Sequence, residues 1–162
     1  MNLLKSSIPV FLILSLAACS STTKEGTSEV LTNTIPFMQS CNNEDIEGKG
    51  PISQTLYVVG SFSDSDWKHV DHRKYTYKGN NIYQVVTEEK VGTYKMQYAS
   101  FTWSPQFTAK DLKLPIGERA ILRFGGYGSD TEVHINENGR YVWSLQFNND
   151  GSPNSIMLNK CQ

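Results

Sequence analysis

The 162-residue chain has no run of Lys or Arg, and its 15 basic and 16 acidic residues leave a formal net charge of −1. Without a basic patch it lacks the electrostatic footprint of a nucleic-acid binder, and the near-neutral balance offers nothing to a polyanion either. Its longest apolar run, Ile8 to Leu16, is broken by Pro9 and Ser15 and is too short to cross a bilayer as a helix. No helical period persists, and no internal repeat is visible, so neither a bundle nor a solenoid is expected. Nucleophilic chemistry also lacks its parts: there is no Ser-His-Asp order, no Gly-x-Ser-x-Gly elbow and no Cys-His pair. Carboxylates pair only as sequence neighbours, Glu44-Asp45 and Glu88-Glu89, in segments read as solvated loops. Glycoside hydrolysis needs two carboxyls facing each other across a cleft, so the reading is of no enzyme, no catalytic residue and no cofactor.

What is present begins with an address. Lys5, the apolar run and then Leu16-Ala17-Ala18-Cys19 resemble the leader and lipobox of bacterial lipoproteins. By that resemblance residues 1–18 are a signal peptide and Cys19 becomes the lipid-bearing first residue. Ser20 in the next position then implies the outer membrane of a Gram-negative cell, with either face open. The lipid supplies the membrane attachment. Removing 18 of 162 residues leaves 144, one domain and a tether. Residues 19–50 are read as that flexible tether, rich in Ser, Thr, Glu and Gly, with Ile35-Pro36-Phe37-Met38 as a possible edge strand. With Cys19 lipidated, Cys41 and Cys161 remain, and an even pair in an exported chain reads as a disulfide.

Residues 51–162 carry short strands at regular spacing. Thr55–Val59, Lys74–Tyr77, Asn81–Thr87, Gly92–Tyr98, Arg119–Phe124, Thr131–Ile135, a segment from Tyr141 to Phe147, and Ser155–Leu158 alternate or stop at turn residues. Asn138-Gly139 is a hairpin signal. Pro105 and the segment 110–115 read as one long connection. About eight short strands without a long helix predict an all-β, antiparallel, immunoglobulin-like β-sandwich. In Gly92–Tyr98, the residues Tyr94, Met96 and Tyr98 share one face and Thr93, Lys95 and Gln97 the other, so the first set enters the core and the second meets solvent.

Three tryptophans then divide. Trp143 alternates with Tyr141 and Leu145 and belongs to the core. Trp67 and Trp103 stand in turns, where a flat aromatic can stack on a pyranose face while nearby amides and acids bond its hydroxyls, or can fold back over the end of the sandwich. Asp64, Asp66 and Asp71 have the chemistry for calcium but lack the spacing of an EF-hand loop. His69 and His72 have compact spacing but no third ligand, and His134 faces outward, so no metal is expected. Gly125-Gly126-Tyr127-Gly128 joins two strands and does not open a helix, which argues against a phosphate cradle.

The phrases Leu56-Tyr57-Val58-Val59-Gly60-Ser61-Phe62 before Trp67, Tyr77-Lys78-Gly79-Asn80-Asn81-Ile82-Tyr83, and Gly92 to Ser100 with Trp103 belong together. With Gly139-Arg140-Tyr141-Val142-Trp143-Ser144-Leu145 they resemble the α-glucan-binding β-sandwich modules found beside pullulanases, branching enzymes and glycogen-sensing kinase subunits. The resemblance covers roughly residues 55–159. It implies a non-catalytic module that holds starch, glycogen or maltodextrin by stacking on Trp67 and Trp103, with Lys95 between them and Asp130 or Thr131 assisting. Gln97, on the same strand face as Lys95, joins these candidates. Beside the glucan, a glycosidase or surface-complex protein is a second candidate partner. The competing reading is a structural or assembly lipoprotein that docks a protein on the same face.

Overall fold

The structure, a computed structural model, describes residues 34–162. The leader, Cys19 and the first part of the expected tether lie outside the described residues. Nine strands follow one another: β1 (Leu56–Gly60), β2 (Thr76–Gly79), β3 (Ile82–Glu89), β4 (Gly92–Ser100), β5 (Gln106–Ala109), β6 (Arg119–Phe124), β7 (Thr131–Ile135), β8 (Gly139–Phe147) and β9 (Pro153–Lys160). All their pairings are antiparallel, in the order β1-β4-β5-β6-β9-β8-β3-β2, with β7 also on β4. Strand β6 makes the corner: Arg119, Ala120 and Ile121 pair with β9, whereas Leu122, Arg123 and Phe124 pair with β5. The curled sheet thus closes into the all-β sandwich expected, with nine strands among the described residues rather than about eight.

The core lies between the two layers. Trp143, Tyr98, Phe107, Phe147, Met96 and Leu56 are fully buried there, each supplied by an alternating inward position. Strand β4 behaves as its pattern requires on this side, with Met96 and Tyr98 buried and Tyr94 half-buried, its ring stacked 5.1 Å from that of Phe62. Strand β5 is the element missing from the sequence reading. Its four residues lie between Pro105 and Lys110, too few to display a period, yet Phe107 and Ala109 are fully buried.

Residues 34–39 form a helix and not an edge strand. The reason is tertiary: Met38 is completely buried on the outer face of the second layer, against Ile82 and Met157. The last carbonyls of the helix are then taken up by side chains of that face. Gln84 Nε2 donates to the carbonyls of Phe37 and Met38, and Ser144 Oγ donates to Met38 O at 2.6 Å. The stretch that follows, assigned to the tether from sequence, is also held to the sheet, by Asn43 Nδ2 on Gln84 Oε1 and by Ile46 N on Tyr77 O. Cys41 is disulfide-bonded to Cys161, 120 positions away, which ties this segment to the end of β9.

Candidate functional site

Trp67 is placed by the way β1 ends. A Cβ on Gly60 would lie 2.3 Å from Lys95 O, so only glycine allows β1 to lie this close to β4. The chain then winds into nested turns: Ser65 N and Asp66 N donate to Phe62 O, and Trp67 N returns to Gly60 O at 2.8 Å. Phe62 drops into the core as the plug of this loop. Arg73, 1% exposed, pins it from below. Its Nε donates to both Asp64 oxygens at 3.0 and 3.1 Å, its two terminal nitrogens clasp Glu89 at 2.9 and 3.1 Å, and its Cζ lies 3.7 Å above the Phe62 ring. Partial burial pushes the Asp64 carboxyl up, but hydrogen bonds from His72 and Arg73 bring it net below the ordinary carboxylate value. Glu89, read from sequence as one of a solvated pair, is instead 3% exposed and at the centre of this network. It lies at the end of β3, where Thr87 Oγ1 and Trp143 Nε1 also donate to it.

Trp103 stands in the turn between β4 and β5. Ser100 organises that turn: its carbonyl accepts from Trp103 N at 2.9 Å and from His69 Nε2 at 3.0 Å, and its hydroxyl accepts from Ser104 N. The His69 ring meets Trp103 edge-on at 5.2 Å, so a residue of the Trp67 loop supports the other tryptophan. Both tryptophans have a backbone φ of +61°, in the left-handed region where bulky side chains are rare. Such conformations persist where the surroundings over-determine them, and they cluster at ligand sites.

The two loops meet over one cleft of about 610 Å³, lined by Trp67, Gln97, Trp103, Gln106, Tyr127, Gly128 and Asp130. That size suits a small ligand or part of a chain. Gln97 belongs to the outer face of β4, as its pattern predicts, but is only 4% exposed because the turn after β6 covers it. Its Nε2 donates to Gly126 O at 3.0 Å and to Asp130 Oδ1 at 2.9 Å, which fixes that turn over the strand. Its Oε1 is buried without a partner, an acceptor left unused inside the cleft wall. Flat aromatic faces, the Gln106 amide and one tethered carboxylate can stack on a ring and bond hydroxyls.

Of the residues singled out from sequence, Trp67, Trp103, Gln97 and Asp130 come together here. Lys95 is exposed and lines a smaller adjoining cleft of about 250 Å³ with Asp111, Lys113 and Glu132, sharing Gly128 and Asp130 with the first. Thr131 is not at either surface. It is fully buried, its Oγ1 within 2.8 Å of Thr108 Oγ1 and accepting from Ala109 N, so it joins β7 to β5. His69 and His72 diverge, one to Ser100 O and the other to Asp64, and the described residues contain no cluster of three metal-binding side chains. Sequence reasoning missed Gln106 and Tyr127. Gln106 opens the strand too short to read, and Tyr127 stands among the glycines of the turn after β6, where no local pattern marks it.

No protein-family model and no curated protein matches the sequence. A solved structure does: the ligand induced structure of AmyP-SBD, a starch-binding domain, is 48% identical to this chain over 97% of its length. The match covers 99% of that chain with a TM-score of 0.63.

Proposed function

The chain belongs to the family of the starch-binding domain AmyP-SBD, and from that premise we propose that it is a non-catalytic module binding α-glucans such as starch, glycogen or maltodextrin. The observation that carries the reading is the meeting of Trp67 and Trp103, 36 positions apart in sequence, over one cleft. Each ring offers an apolar face to a pyranose, and Gln106 and Asp130 stand beside them for its hydroxyls, with Asp130 held in place by Gln97. Lys95 borders the same turn and serves a sugar that extends past Gly128 and Asp130. Hydrolysis is not part of the proposal, since Asp130 is tied to Gln97 and the cleft lining contains no second carboxyl.

Electrophoresis through gels containing amylopectin or glycogen tests this. The protein should be retarded and Trp103→Ala should migrate as in a blank gel; equal migration of both forms in all gels would refute the proposal. Attachment at Cys19 completes the reading: the Leu16-Ala17-Ala18-Cys19 sequence supports a lipid anchor on the outer membrane, with the sandwich held by its tether. Metabolic labelling with palmitate should mark the protein and fail to mark Cys19→Ser.

A further inference from the structure

Phe101 is 72% exposed, two positions before Trp103 in the same turn, yet it is not part of the cleft lining. Its ring lies 5.3 Å from that of His69, tilted by 50°, and His69 lies 5.2 Å from Trp103 on an edge-on contact. Trp103, His69 and Phe101 are therefore rings in successive contact, Trp103 inside the cleft lining and Phe101 outside it. The fold makes little use of a phenylalanine there. The turn is closed by its own polar groups: Trp103 N on Ser100 O, Ser104 N on Ser100 Oγ, Ser100 N on Pro105 O and His69 Nε2 on Ser100 O. A ring held on so well-braced a frame has little freedom left to lose when something covers it.

We infer that Phe101 is a third stacking position for the same glycan, outside the cleft, so that a chain crossing Trp103 continues over Phe101. This rests on the α-glucan reading of the cleft. The occupant follows from continuity: a homopolymer presents the same apolar face at each sugar, and the exposed ring of Phe101 is linked to Trp103 through the ring contacts that both make with His69. The consequence is a preference for long chains over short ones. A trisaccharide fills the cleft alone, whereas a heptasaccharide reaches Phe101.

Titration calorimetry with maltotriose and maltoheptaose on the unaltered protein, Phe101→Ala and Trp103→Ala separates the possibilities. Phe101→Ala should weaken maltoheptaose binding by about fivefold to tenfold, the size of one aromatic contact, and leave maltotriose within about twofold. Trp103→Ala should weaken both. Unchanged maltoheptaose binding in Phe101→Ala overturns the third position while leaving the cleft intact. An equal loss for both sugars also overturns it, because Phe101 would then act only by supporting Trp103. Failure of the unaltered protein to bind either sugar overturns the α-glucan reading and this inference with it.

Discussion

Replacing Glu89 with alanine removes the carboxylate on which the buried base of the Trp67 loop depends. Arg73 and Glu89 are 1% and 3% exposed and share two parallel hydrogen bonds of 2.9 and 3.1 Å. Without Glu89 the guanidinium keeps only the part-exposed Asp64, within reach of Nε and Nη2, and the face of Phe62, and the buried Nη1 loses its acceptor. Trp143 Nε1 still has Thr87 Oγ1 at 2.8 Å, so most of the cost falls on the arginine. Breaking one side of a buried pair costs about 3–5 kcal/mol, a large share of the roughly 5–15 kcal/mol that holds a domain folded. For a domain of this size that lowers Tm by about 10–20 °C. Urea and thermal denaturation followed by near-ultraviolet circular dichroism read both quantities. Arg73→Met combined with Glu89→Leu should recover most of the loss, because it removes both charges and leaves neither unpaired. A Glu89→Ala cost below about 1 kcal/mol, or a double variant as unstable as the summed singles, would refute the reasoning.

The same network makes a pH prediction through Asp64, whose carboxyl is held below its ordinary value. Its contribution is complete above the unfolded value of about 3.9 and is lost as pH falls through the lower folded value. Denaturation free energies measured between pH 5 and pH 2 should therefore fall more steeply for the native protein than for Asp64→Asn. Trp103 is 37% exposed, which leaves on the order of 90 Å² of indole for a sugar. At about 25 cal/mol/Å² its loss should weaken α-glucan binding by about 2 kcal/mol, or about thirtyfold by calorimetry, with little change in Tm. Cys161→Ser opens a loop of 120 positions and should lower stability by about 4–5 kcal/mol in the chain-entropy account, measured in urea against the oxidised protein.

Much of the fold was legible because half-buried strands display a period of two. Arg119–Phe124 and Thr131–Ile135 have the bounds read from sequence, and Met96, Tyr98 and Trp143 occupy the core their alternation assigned. Strand β5 was not legible, since four residues after Pro105 show no period. Residues 34–39 misled for a related reason: a short apolar run has no geometry of its own, and the helix takes shape against Ile82 and Met157. The site was partly legible. Two tryptophans in turns announced themselves, but Tyr127 stood among glycines and Gln106 beside a proline, where nothing local marked them.

By itself the sequence determined the class of fold, the inward face of each longer strand and the residue types able to meet a sugar, since these follow from local period and side-chain chemistry. Only the tertiary structure decided which of those residues share a cleft. It drew Gln97 under the turn at residues 126–130, buried Thr131 between strands and set Glu89 against Arg73. Each of these depends on a partner far away in the chain, and a contact between distant positions leaves no trace in the order of residues around either one.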